Sequence, residues 1–130
     1  MLVVDAGVLA VALADDGADG DAARDRLRGN PLAAPELVDV ETASVIRRHL
    51  LAGHLDERRA GLALSDLVDL PLRRAPHRDL LPRCWDLRQN VSVYDASYVA
   101  LAELLDATLV TTDSRLAEAP GPRCRFELLG

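Results

Sequence analysis

Short apolar runs alternate along the chain with longer segments that carry apolar residues at helical spacing. The apolar runs and extended stretches predict strands at residues 2–5, 32–34, 108–112 and 124–128, with a further extended stretch from Pro71. The segments between them predict helices at residues 6–14, 19–28, 36–52, 56–68, 78–89, 93–105 and 114–117. Strands that alternate with helices are typical of a parallel sheet covered by helices. We therefore predict an α/β fold, with one domain over residues 1–130.

Length and composition narrow the class of protein. The chain has 130 residues, of which 49% are hydrophobic, and no apolar stretch approaches the roughly 20 residues of a membrane span. The N-terminus has no basic segment of the kind that opens a signal peptide. Two cysteines, Cys84 and Cys124, are too few for a disulfide scaffold, and we expect them to be reduced and structural. These features predict a soluble cytoplasmic protein with no membrane partner.

The charge is acidic overall but unevenly distributed. The formal net charge is −6, which argues against a nucleic-acid partner. Residues 73–88, however, contain five arginines against two aspartates. This arginine strip is either a solvated surface with local ion pairs or a path for substrate phosphates.

All fifteen basic residues are arginines, and the chain contains no lysine. The absence of lysine excludes a P-loop lysine and a Schiff-base mechanism. It also argues against receiver domains and against phosphatases of the haloacid-dehalogenase type, which normally need a lysine. The latter also place a second aspartate two residues after the first, where this chain has Gly7.

Two aspartates follow predicted strands directly. Asp5 ends the first apolar run and Asp113 ends the run at residues 108–112. In open parallel sheets the ligand site lies outside the carboxyl ends of the strands, so both carboxylates are expected at the functional edge. Either residue alone is equally consistent with a cap on the helix that follows it.

Two further acids lie on predicted helices. Glu41 shares an apolar stripe with Leu37 and Val45, and a glutamate that faces a core is rarely left without a partner. Asp95 is the third residue after Ser92, the spacing of a capping box. A carboxylate in the first turn of a helix also points off the helix end, so capping and ligand roles are compatible.

Four converging carboxylates need a positive charge to neutralise them. Hard oxygen ligands of this kind suit Mg²⁺ or Mn²⁺. Asp5, Glu41, Asp95 and Asp113 are therefore the candidate metal-binding and catalytic residues.

The segments around these acids resemble the conserved blocks of PIN-domain ribonucleases. The resemblance is carried by Val3-Val4-Asp5, by Val40-Glu41-Thr42, by residues 94–102 and by residues 109–113. Within that family, the chain length and the block around Asp95 are most similar to the VapC-type toxins of toxin–antitoxin pairs. The resemblance implies a PIN-like three-layer α/β/α sandwich with a central, mostly parallel sheet, and an acidic metal site at Asp5, Glu41, Asp95 and Asp113.

The resemblance also implies a function and partners. It implies a Mg²⁺- or Mn²⁺-dependent endoribonuclease, inhibited by a small antitoxin and assembled as a homodimer. The RNA-contacting candidates, predicted from charge and position, are Arg73, Arg74, Arg78, Arg88 and Arg115. Two alternatives stay open: a catalytically silent interaction module with the same fold, and a Mg²⁺-dependent phosphatase.

One position departs from the family pattern. The family often has a serine or threonine two residues after the first aspartate, and this chain has Gly7 there. Thr112 and Ser114, which flank the last aspartate, are the candidates to supply the missing hydroxyl near the metal ligands.

Overall fold

The computed structural model describes residues 1–130 and contains a five-stranded sheet flanked by seven α-helices. The strands are β1 (Leu2–Val4), β2 (Leu32–Pro35), β3 (Leu72–Ala75), β4 (Thr108–Thr111) and β5 (Phe126–Leu128). The helices are α1 (Ala6–Ala14), α2 (Ala18–Leu27), α3 (Val38–Leu51), α4 (Glu57–Asp69), α5 (Leu81–Asp86), α6 (Val93–Leu105) and α7 (Ser114–Glu118).

The strand order is β3-β2-β1-β4-β5, and every neighbouring pair is parallel. Crossovers between parallel strands are right-handed, so the helices before β3 and those after it cover opposite faces of the sheet. Helices α1 to α4 pack on one another, and α5 packs on α6. This arrangement confirms the predicted α/β/α sandwich, with a sheet that is wholly parallel.

The core consists mainly of aliphatic residues from the sheet and from α1 and α6. β1 and β4 are buried along most of their length, with Val3, Val4, Leu109 and Val110 fully inaccessible to solvent. Strands buried on both faces read as continuous apolar runs. This is why the sequence pattern identified these two strands clearly.

The predicted helix at residues 78–89 was wrong in its form. The segment is a 3-10 turn over Arg78–Leu80 followed by the short helix α5, which ends at Asp86. Pro82 has no backbone N–H and cannot continue a regular helix from the residues before it. The proline is accommodated in the first turn of α5 instead. None of the helices is both long and apolar enough to cross a lipid bilayer.

Candidate active site

The order of the sheet brings the two strand-end aspartates together. The chain leaves β1 towards β2 on one side, whereas β4 occupies the other side, so the β1–β4 boundary is the switch point of the sheet. Val4 is paired with Val110 in this register, and Asp5 N donates to Val110 O at 3.2 Å. Asp5 therefore lies beside the carboxyl end of β4.

Asp5 has a structural and an electrostatic role at once. Its Oδ1 accepts a 2.9 Å hydrogen bond from Val8 N and so caps α1. This is the capping role that the sequence allowed as an alternative to a role in the site. Its other oxygen, Oδ2, accepts a hydrogen bond from the Thr111 hydroxyl. Burial raises the pKa of the Asp5 carboxyl, and the negative charge of Asp95 adds to this effect, although the hydrogen bonds oppose it.

Thr111 links the two strand-end aspartates. Its side chain is fully buried at the end of β4. While its hydroxyl donates to Asp5, its Oγ1 accepts a 3.0 Å hydrogen bond from the backbone N–H of Asp113. Sequence reasoning treated Thr111 only as a strand residue and missed this bridge.

Glu41 faces Tyr98 across the gap between α3 and α6. The Tyr98 hydroxyl donates a 2.6 Å hydrogen bond to Glu41 Oε1. Burial raises the pKa of Glu41, and the charges of Asp95 and Asp5 raise it further, against the lowering effect of the Tyr98 hydrogen bond. Burial and the adjacent Glu41 carboxylate likewise raise the pKa of Tyr98, so the phenol remains protonated and able to donate.

Asp95 lies in the first turn of α6. The Ser92 side chain accepts a 3.1 Å hydrogen bond from Asp95 N, so one of the two hydrogen bonds of the predicted capping box forms. The Asp95 carboxylate does not accept from the Ser92 backbone. Burial raises the pKa of Asp95, and the charge of Asp113 adds to this.

Three of the four predicted acids line one cavity. Asp5, Glu41 and Asp95 border a pocket of about 240 Å³ at the carboxyl edge of the sheet. We call this the acidic pocket. Its other lining residues are Ala6, Gly7, Ser44, Val45, Arg48 and Tyr98. Asp113 does not line the cavity, although its charge acts on Asp95. Its side chain caps α7 through the backbone N–H groups of Arg115 and Leu116.

The carboxylates that line the acidic pocket are ligands of the kind that a hard divalent cation prefers. Asp5, Glu41 and Asp95 supply carboxylate oxygens whose mutual repulsion a cation would relieve. In this arrangement no three acidic, histidine or cysteine side chains converge closely enough to bind one metal ion between them. Side-chain rotation is therefore needed to bring three ligands onto one ion.

Gly7 leaves room for a threonine hydroxyl. A Cβ atom built on Gly7 would lie 2.7 Å from Thr112 Oγ1 and 3.5 Å from Asp5 Oδ1. Thr112 is thus placed where a side chain at position 7 would be, next to the first aspartate. Ser114 is exposed in the first turn of α7.

The predicted RNA-contacting arginines have different surroundings in the structure. Arg74 is engaged by the Asp39 carboxylate, at 2.7 Å, and by backbone carbonyls that include Leu67 O. Arg88 stacks over the Trp85 ring at 4.8 Å from its centroid. Arg73 borders a separate cavity of about 200 Å³ that shares no residue with the acidic pocket. Arg115 is exposed on α7 beside Asp113, and Arg78 begins the 3-10 turn.

The comparisons with known proteins agree with this fold. The model of the PIN domain family matches residues 2–122. The chain belongs to the PIN domain family. This PIN domain is 44% identical over 128 residues to Ribonuclease VapC1 of Mycobacterium tuberculosis, covering 98% of this chain and 96% of that protein. It is 36% identical to Ribonuclease VapC12 of the same organism, covering 99% of each chain.

Solved structures show the same fold at low sequence identity. The PIN domain matches Mycobacterium tuberculosis VapC20, described as a sarcin–ricin loop cleaving toxin, with a TM-score of 0.69 and 17% identity; the match covers 90% of this chain and 93% of that one. It matches the VapBC2 structure from Rickettsia felis with a TM-score of 0.70 and 14% identity, covering 99% and 98%.

Proposed function

We propose that this PIN domain is a Mg²⁺- or Mn²⁺-dependent endoribonuclease and the toxin of a type II toxin–antitoxin pair. The observation that carries the proposal is the acidic pocket, which Asp5, Glu41 and Asp95 line at the switch point of the sheet, with Asp113 near enough for its charge to act on Asp95. Near-full-length similarity to proteins named Ribonuclease VapC supports the choice of reaction.

The chain's own residues account for the construction of the site. A bound divalent cation would supply an activated water and neutralise the phosphate charge. Asp5, Asp95 and Asp113 are the proposed direct ligands, and Glu41 is proposed to hold the attacking water. Thr111 donates a hydrogen bond to the Asp5 carboxylate and Tyr98 donates one to Glu41, so both carboxylates are oriented by neighbouring side chains.

Purified protein freed of any antitoxin should cleave total RNA in the presence of Mn²⁺ or Mg²⁺ and stop when EDTA is added. Asp113→Asn, purified in parallel, is the matched control because asparagine can retain the cap on α7 while losing the charge. Cleavage that persists in this variant would indicate a contaminating nuclease. A parent protein that binds Mn²⁺ but leaves RNA intact would favour the silent interaction module.

The phosphatase alternative has less support. The position two residues after Asp5 is Gly7, and the chain contains no lysine to assist a phosphoryl intermediate. Hydrolysis of small phosphate esters by the metal-loaded protein, with RNA left intact, is the result that would favour it.

We also propose that a small antitoxin protein inhibits the site. The acidic pocket is lined by three carboxylates, so a guanidinium or ammonium group of a partner could form ion pairs there. Co-purification with the product of a neighbouring reading frame, lost in a glutamine variant of the partner's basic residue, would test this. We expect the pair to reside in the cytoplasm, with the RNA.

A homodimer is proposed from the apolar surface next to α6. Four exposed side chains, Leu81, Trp85, Val93 and Tyr94, lie on α5 and at the start of α6, close in sequence to Asp95. We expect light scattering to report a dimer for the parent protein and a monomer for Trp85→Glu. Leu104→Glu, at a side chain that is 70% exposed near the other end of α6, is the control.

A further inference from the structure

Arg48 is the only basic residue that lines the acidic pocket. It lies on α3, seven residues after Glu41, and Ser44 and Val45 line the pocket from the intervening turn. Positions separated by three, four and seven residues share one face of a helix. Arg48 therefore extends the face of α3 that carries Glu41, two turns further from the helix start.

The Arg48 guanidinium is not used by the protein itself. Seven other arginines form ion pairs with carboxylates, and Arg48 is in none of them. It donates no hydrogen bond to a backbone carbonyl, unlike Arg24, Arg59 and Arg74. The residue is exposed, so its planar donors are available to a ligand.

The presence of Arg48 in the acidic pocket is not explained by neutralisation of the pocket's carboxylates. Burial and mutual repulsion raise the pKa values of Asp5, Glu41 and Asp95, and Arg48 contributes no opposing effect to any of them. An arginine that served only to balance these carboxylates would be paired with one of them. A guanidinium at the pocket wall with all its donors unpaired is instead suited to a ligand that enters the pocket.

We infer that Arg48 is a substrate-positioning residue that binds a phosphate oxygen of the RNA backbone beside the linkage to be cut. The inference rests on the proposed ribonuclease function. RNA must approach a pocket whose walls are negatively charged, and a positive group at its edge offsets that repulsion. The guanidinium can donate two parallel hydrogen bonds to one phosphate, which sets the register of the strand as well as its affinity.

The test compares three variants with the parent: Arg48→Gln, Arg48→Lys and the control Arg47→Gln. Arg47 is the adjacent residue on α3, is exposed and unpaired, and lines none of the main cavities, so its variant removes the same charge from another face. Cleavage kinetics on total RNA are measured with Mn²⁺. Binding of a fluorescein-labelled RNA hairpin is measured at several salt concentrations in the Asp113→Asn background, where the RNA stays intact.

Arg48→Gln is expected to raise KM and weaken hairpin binding by about tenfold to a hundredfold. The slope of the logarithm of the binding constant against the logarithm of the salt concentration should become shallower by roughly 0.7–0.9, which corresponds to one phosphate contact. Arg48→Lys should recover the salt slope but only part of the affinity, because lysine keeps the charge and loses the paired donors. Arg47→Gln should match the parent in KM, and Mn²⁺ affinity should not fall in any variant.

Equal RNA affinity and salt slope in Arg48→Gln and the parent would overturn the inference while leaving the proposed function intact, provided that the parent cleaves RNA. Equal losses of RNA affinity in Arg48→Gln and Arg47→Gln would also overturn it, since the loss would then reflect the net charge of the protein and not a contact made by Arg48. A parent that neither binds the hairpin nor cleaves RNA would remove the proposed function, and the inference with it.

Discussion

Tyr98 donates a 2.6 Å hydrogen bond to Glu41 and so joins α6 to α3 across the acidic pocket. The phenol is buried, whereas the carboxylate it contacts opens towards the pocket. The pair fixes one wall of the site to the helix that carries Asp95. It also holds a glutamate in place without neutralising it.

Tyr98→Phe should leave Glu41 without its oriented partner. We expect a loss of about 1–2 kcal/mol in the free energy of unfolding, because a hydrogen bond to a charged group is removed from a buried position. RNA cleavage should fall by about tenfold or more. Tyr94→Phe is the control, since Tyr94 is 68% exposed and its hydroxyl makes no hydrogen bond within the protein. Equal activity in the two variants would show that the Tyr98 hydroxyl does not matter.

Thr111 and Thr42 provide a matched pair of buried threonines. Both are fully inaccessible to solvent, but the Thr42 hydroxyl has no hydrogen-bond partner, whereas that of Thr111 has two. Thr111→Val should destabilise the protein by about 1–3 kcal/mol, and Thr42→Val should be neutral or stabilising. Chemical denaturation measures both. A similar cost for the two variants would contradict the bridging role of Thr111.

Asp95→Asn should separate apo stability from metal binding. At neutral pH the folded state carries the cost of a charged Asp95 that is partly buried and repelled by Asp113, as its raised pKa indicates. The neutral variant should therefore melt at a higher temperature than the parent without metal. Added Mn²⁺ should stabilise the parent and leave the variant unchanged. A variant that gains as much from Mn²⁺ as the parent would exclude Asp95 as a ligand.

Gly7 and Thr112 should behave as alternatives for one position. Gly7→Ser places a Cβ 2.7 Å from Thr112 Oγ1, so the hydroxyl has to rotate, at a cost of about 0.5–1.5 kcal/mol. Thr112→Ala should reduce cleavage if its hydroxyl assists the Asp5 carboxylate. The double variant should recover both stability and cleavage, because the serine then restores a hydroxyl at the same place. Additive losses in the double variant would contradict this exchange.

Acid should weaken the contact between Glu103 and Arg83, which ties α6 to α5. Burial would raise the pKa of Glu103, but hydrogen bonds from Arg83 and from the backbone of Arg123 outweigh it and lower the pKa overall. Its contribution to stability is therefore present above the ordinary glutamate pKa, about 4.3, and is lost as the pH falls through the lower folded-state value.

Glu103→Gln should be less stable than the parent at pH 7 by about 1–2 kcal/mol, since both side chains are mostly buried. The difference should shrink as the pH falls through the titration of Glu103. Urea denaturation of both proteins at a series of pH values measures it. A difference that stays constant with pH would mean that packing, not ionisation, accounts for the effect.

The fold could be predicted because its strands are buried on both faces and its helices have clear limits. The bounds of the helices predicted at residues 6–14 and 93–105 were confirmed. The predicted last strand began two residues too early, since β5 starts at Phe126. The short α5 was overextended because leucine spacing indicates a helix but not where a proline restarts it.

Of the candidate site, only the acidic residues could be predicted from the sequence. An aspartate at the end of a predicted strand can be recognised from the sequence as a candidate ligand. The neighbouring residues in the chain do not show which group a tyrosine or threonine hydroxyl will hydrogen-bond. Glu41 and Tyr98 are 57 residues apart in the chain, with α4, β3 and α5 between them. Thr111 reaches Asp5 only through the pairing of β1 with β4. Likewise, the sequence does not show that Arg48 forms no ion pair, because this depends on which arginines lie next to carboxylates in the folded chain.

The sheet order has a consequence for how the protein is made. Of the five strands of this sheet, β1 is synthesised first, and its neighbour on the site side, β4, is synthesised fourth. A nascent chain that stops before residues 108–113 has Asp5 without the Thr111 hydroxyl and without Asp113 beside it. The proposed nuclease therefore completes its acidic site only after β4 and Asp113 have been synthesised, long after Asp5.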